Sequence, residues 1–176
     1  VHAGLLPALR TGAIPGSEDW TYITMTPGAD PLAELAARLA SAGFVPAVDI
    51  LADFERGSRE LAPLNGEARL VLVIDQFEEL FTMCRERERQ SQFIALLAAA
   101  LEAPEPGVVV LLAIRADFYA ELAGFPGFPE LIDPGHVLLG PPTAEDLRAM
   151  VEGPATAAGL AIEPGLTEAI LSDLGD

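Results

Sequence analysis

The sequence predicts an α/β fold built on a mostly parallel sheet covered by helices. Leu70 to Ile74 and Val108 to Ile114 are unbroken aliphatic runs, the composition of strands buried on both faces. Between them, Gln90 to Leu101 sets Phe93, Ile94, Leu97 and Leu101 along one helical face. Strand, helix, strand with short connections is the order of a right-handed crossover unit.

The remaining elements follow in chain order. Val1 to Arg10 reads as the end of a helix with Leu5, Leu6 and Leu9 on its apolar side, and Gly12 to Asp19 supplies loop chemistry. Trp20 to Thr26 is a strand candidate, half polar and therefore suited to an edge, with Trp20 as a packing residue at its start. Asp30-Pro31 opens a helix carrying Leu32, Leu35, Ala36 and Leu39 at helical spacing, and a second helical stretch runs from Ala47 to Leu61. His136 to Leu139 is a short strand candidate. Thr143-Ala144-Glu145-Asp146 begins a helix in the manner of a capping box, with Leu147, Met150 and Val151 behind it. Another helix starts near Pro164, with Leu166, Ile170, Leu171 and Leu174. Two helices with no strand between them predict a separate helical segment, so the expected division is 1–141 and 142–176.

Composition narrows the function classes. All ten basic residues are arginine, against 27 acids, for a formal charge of −17 over 176 residues. The electrostatic attraction to a nucleic-acid backbone is missing, so no nucleic-acid partner is expected. No apolar stretch reaches the ~20 residues that span a bilayer. The single cysteine, Cys84, excludes an internal disulfide, and a reducing cytoplasmic setting is expected. Cys84 is expected half-exposed beside Arg85-Glu86-Arg87-Glu88-Arg89, itself read as a solvated surface with i,i+4 pairing. His2 and His136 have no clustered ligands around them. An opening on Val1-His2-Ala3-Gly4, with no initiator Met and no charged leader, reads as an internal fragment.

Asp75 ends the first aliphatic run and Arg115 the second. In open α/β sheets ligands bind beyond the carboxyl ends of the strands. If the two strands are parallel neighbours, an acid suited to a metal and a cation suited to a phosphate oxygen share one rim. Glu78 and Glu79 follow within a turn and are placed to orient a water. Each charge also has a purely structural reading: acids in a helix's first turn, where the dipole favours them, and Arg115 paired with Asp117.

Leu70 to Phe81, Leu-Val-Leu-Val-Ile-Asp-Gln-Phe-Glu-Glu-Leu-Phe, resembles the Walker B region of the novel STAND NTPases. These are bacterial signalling ATPases related to the NACHT and apoptotic ATPase groups. Ile114-Arg115-Ala116-Asp117-Phe118-Tyr119 resembles that family's sensor segment, whose Arg approaches the terminal phosphate. Val1 to Leu9 resembles the helix after the GxxxxGK(S/T) loop, Gly28 to Leu32 the usual strand-to-helix turn, and Gly140 to Ala155 the passage into a helical lid.

The resemblance implies a P-loop NTPase-like three-layer sandwich whose mostly parallel sheet lacks its first strand, followed by the start of a lid. Without that strand, His136 to Leu139 is expected unpaired or paired differently. It implies ATP and Mg²⁺ in the intact protein, with Asp75 on magnesium, Glu78 or Glu79 positioning the water, and Arg115 as a catalytic and nucleotide-binding residue. An ATP-dependent signalling switch, a C-terminal WD-repeat domain, an N-terminal effector domain and oligomerisation on activation are implied with it. The sequence contains no GxxxxGK(S/T) loop and no lysine, so the segment alone is expected to bind nucleotide poorly. The alternatives are a degenerate acidic interaction scaffold and an AAA+-type ATPase acting on DNA.

Overall fold

The structure, a computed structural model, describes residues 1, 4–43, 47–57, 61, 69–102 and 107–173. It divides into two compact units, Val1–Gly135 and His136–Asp176. His2, Ala3 and Leu174 lie outside the described residues.

In the first unit, β1 (Thr21–Met25), β2 (Leu70–Ile74) and β3 (Val108–Leu112) form a parallel sheet in the order β1-β2-β3. Thr21 lies opposite Leu70, and Ile74 opposite Leu112. All five residues of β2 are buried, as a central strand requires. β1 takes the edge that its half-polar sequence predicts.

Alternation along the strands separates two faces. Leu70, Leu72 and Ile74 join Ile23, Met25 and Val108 in the main core. That core is closed by α2 (Pro31–Ser41), α3 (Ala47–Glu55) and α5 (Arg87–Glu102). The helix after Asp30 buries Leu32, Leu35, Ala36 and Leu39 at the predicted spacing, each worth roughly 1.5–3 kcal/mol for the larger side chains. Its start is fixed by Asp30, whose Oδ1 accepts from the Ala33 N–H at 3.2 Å. On the opposite face Val71 and Val73 meet Leu6 of α1 (Leu5–Arg10), with Trp20, Tyr22, Val109 and Leu111 half-buried around them.

Three expectations are corrected here. β3 is not buried on both faces: it lies at the sheet edge and only Val108 is buried. Leu6 packs over β2 and leaves Val109 and Leu111 partly open, a distinction that an aliphatic run cannot reveal. The helix from Ala47 stops at Glu55 rather than Leu61, because Gly57 takes a left-handed conformation (φ +63°) and its N–H turns back to the Phe54 carbonyl. Residues 58–60 lie outside the described residues. Cys84 is buried, not half-exposed.

The charged run beside Cys84 is largely solvated as expected, with Arg85 to Glu88 exposed and Arg89 half-buried, yet two of its arginines make contacts outside the run. The Arg87 guanidinium lies 3.9 Å from the Phe125 ring centroid and donates to the Gly124 carbonyl. Arg89 contacts Glu55 at 2.7 Å and Asp30 at 3.7 Å, linking α5 to α3 and to the cap of α2.

The short helices α4 (Glu79–Thr82), α6 (Tyr119–Leu122) and α7 (Phe128–Ile132) complete this unit. Phe77, just before α4, stacks on Phe93 of α5 and Phe128 of α7, each 6.4 Å away, and meets Phe81 of α4 edge-on at 6.1 Å.

In the second unit, α8 (Ala144–Ala157) begins on the expected capping box. The Asp146 N–H donates to Thr143 Oγ1 at 3.1 Å, and the Thr143 N–H to Asp146 Oδ2 at 2.9 Å. α9 (Leu166–Asp173) is tied to α8 by Arg148, which reaches Glu152 at 3.2 Å and Glu168 at 3.0 Å. The stretch His136 to Leu139 is not a strand. Val137, Leu138 and Leu139 are 74%, 74% and 85% exposed, and the segment joins no strand among the described residues.

Candidate functional site

The carboxyl ends of the three strands define one rim, as the parallel order requires. Five aliphatic residues of β2 lead into Asp75, whose backbone N–H donates to the Met25 carbonyl of β1 at 2.9 Å. On the other side, the Ala113 N–H donates to the Ile74 carbonyl and the Phe77 N–H to the Ala113 carbonyl, both at 2.9 Å. The turn after Asp75 is therefore stitched to both neighbouring strands.

At its centre Gln76 takes φ +50°, the one non-glycine residue with positive φ among those described. That conformation costs about 1 kcal/mol or more for a side chain of this kind. Its N–H donates to Asp75 Oδ1 at 3.0 Å, which helps to hold the carboxylate at the strand end.

Glu78 and Glu79 diverge at the start of α4. Glu78 Oε2 accepts from the Arg115 N–H at 3.4 Å, on the β3 side. Glu79 Oε2 accepts from the Gly28 N–H at 3.1 Å, on the β1 side. The Arg115 guanidinium pairs with Asp117 through two hydrogen bonds, Nε to Oδ1 at 3.2 Å and Nη2 to Oδ2 at 2.8 Å. It also lies 5.7 Å from the Phe118 ring centroid, and Phe118 stacks on Phe81. The pairing with Asp117 is the structural alternative that the sequence left open.

Asp75, Glu78 and Arg115 are thus brought to one rim, with Glu79 turned toward β1. On the β1 side, where Glu79 reaches Gly28, the turn from Thr26 to Asp30, with Ala33 and Glu34, lines an open cleft of about 410 Å³ to which Asp75, Glu78 and Arg115 do not contribute. Among the described residues no three His, Cys, Asp or Glu side chains group to enclose a metal ion. A single carboxylate at the strand end still suits magnesium, which keeps several waters and takes one or two protein carboxylates together with phosphate oxygens.

The family model for Novel STAND NTPase 1 matches residues 1–176. The chain belongs to the novel STAND NTPase family. No curated protein and no solved structure matches it. For a STAND NTPase, a nucleoside triphosphate and magnesium are the general ligands that membership implies. Among the described residues of this STAND chain, no helix is long and apolar enough to cross a membrane.

Sequence reasoning missed two features of this site. One is the Glu79 bond to Gly28, 51 residues away; the only signal for it is the acid pair itself. The other is Arg89, which steadies Asp30 and so the edge of the cleft. An alternating Arg/Glu run gives no sign of which arginine turns inward.

Proposed function

We propose that this chain is part of the nucleotide-binding core of an ATP-dependent molecular switch. The observation that carries the reading is the placement of Asp75 and Arg115 at adjacent ends of parallel strands, with Glu78 hydrogen-bonded to the Arg115 backbone. In this reading Asp75 holds magnesium, directly or through water, and bound magnesium offsets the charge of the phosphates. Glu78 or Glu79 orients the attacking water by accepting its hydrogen bond. Arg115 exchanges its pairing with Asp117 for a γ-phosphate oxygen, to which guanidinium geometry is equally suited.

The helices of 142–176 begin a lid whose position follows the bound state. Hydrolysis is slow, and the ATP state is coupled to a C-terminal repeat domain, an N-terminal effector and oligomerisation. Because the sequence holds no lysine and no phosphate-cradling loop, the 176 residues alone bind nucleotide weakly. In the intact protein, Asp75→Ala is expected to abolish magnesium-dependent ATP turnover, measured as phosphate release. Survival of turnover would remove Asp75 from the metal site. Micromolar ATP affinity of the isolated segment, read by calorimetric titration, would contradict the weak-binding statement.

A further inference from the structure

The two adjacent acids face different neighbours, and the difference assigns them different work. Successive residues on a helix point about 100° apart, which sends Glu78 toward Arg115 and Glu79 toward Gly28. Gly28 has φ +61° with nothing within 4 Å of where a Cβ would stand, so its backbone conformation rather than crowding calls for glycine. That conformation places its N–H against Glu79 Oε2 at 3.1 Å, a charge-assisted bond joining segments distant in sequence.

The turn containing Gly28 is already braced from its far side. Asp30 caps α2 through the Ala33 N–H, and Arg89 lies between Asp30 and Glu55. Glu79 adds the near side, binding that braced turn to the Asp75-Gln76-Phe77 segment, whose backbone is anchored to β1 and β3.

Resting on the switch reading above, we infer that Glu79 is a positioning residue that locks the β1–α2 turn to the strand end bearing Asp75, leaving Glu78 as the acid that orients the water. Glu79 acts through the Gly28 backbone and does not touch the reacting atoms. Glu78 lies beside Arg115 on the β3 side, and its single 3.4 Å bond uses one of about four acceptor positions of a carboxylate.

The test uses the intact protein with Glu78→Gln, Glu79→Gln and Glu79→Ala, and reads hydrogen exchange over residues 26–30 alongside steady-state ATP turnover. Glutamine at 79 keeps an oxygen for the Gly28 N–H. Glu79→Gln is therefore expected to hold kcat within about threefold and to retain protection of this segment. Glu79→Ala should speed exchange there about tenfold or more and raise KM more than it lowers kcat. Glu78→Gln should lower kcat about a hundredfold and leave the segment's exchange unchanged.

A hundredfold loss of kcat in Glu79→Gln with unchanged exchange would overturn the assignment. Unaltered exchange in Glu79→Ala would do the same. Wild-type protein without ATP turnover sinks the switch reading instead, and the exchange measurements then decide the Glu79 lock by themselves.

Discussion

Phe77 connects the rim to the core, and its removal has a magnitude that the structure fixes. The side chain has 0% exposure and lies between the rings of Phe93 and Phe128, each 6.4 Å away, with Phe81 edge-on at 6.1 Å. Truncating such a residue to alanine costs about 3–5 kcal/mol, and the lost ring pairs place Phe77→Ala in the upper part of that range. A loss of about 4 kcal/mol is a large share of the 5–15 kcal/mol that holds a typical domain together.

Urea unfolding followed by fluorescence is the assay. Trp20 is the sole tryptophan of the sequence and stands at the start of β1, so the signal reports the first unit. With a slope of about 2 kcal/mol per molar urea, the midpoint should fall by about 2 M. Phe81→Ala, at a partly exposed ring, should shift it by less than half as much. A Phe77→Ala midpoint within 0.5 M of wild type, on the same slope, would refute the claim that this ring carries the junction.

Three further expectations follow from individual contacts. Asp117→Ala removes the partner that occupies the Arg115 guanidinium and should tighten ATP binding in the intact protein; weaker binding would mean that Asp117 orients Arg115 rather than competing for it. Burial pushes the Cys84 thiol above its ordinary range, so a small disulfide reagent at pH 8 should label native protein at least about tenfold more slowly than urea-unfolded protein, and equal rates would contradict the burial. Asp146 is held below the usual carboxylate range by the Thr143 hydroxyl and then by the Thr143 N–H. A depressed folded value means that the charged form supports α8 above the ordinary unfolded value, and this support is lost as pH falls through the depressed one. In a carboxyl-carbon NMR titration, Thr143→Ala should return Asp146 toward ordinary titration, and an unchanged midpoint would discount the capping box.

Features written into local composition were legible in the sequence. β2 was readable because five consecutive aliphatics admit few placements other than a sheet centre, and α2 because Asp30-Pro31 marks its start and its apolar spacing has one period. That Asp75 and Arg115 lie on one rim followed once both strands were read as parallel neighbours. Features decided by distant partners were not legible. The edge exposure of β3 depends on what lies beyond it, the burial of Cys84 on the packing around α5, and the Gly28 contact of Glu79 on a turn 51 residues earlier. His136 to Leu139 has strand-like residues, yet β-propensity describes the fit to a neighbouring strand, and no strand pairs with it among the described residues.

The position of β3 has a consequence at the bench. Among the described residues, the aliphatic run Val108 to Leu112 lies half-buried at the margin of the sheet, and an edge strand is where like chains can stack edge to edge. The formal charge of −17 keeps copies apart by mutual repulsion. Colloidal stability of the purified segment therefore rests on its acids. It should precipitate as they are protonated or screened by salt, and a lysine placed along this margin would protect it under conditions where the native acids no longer do.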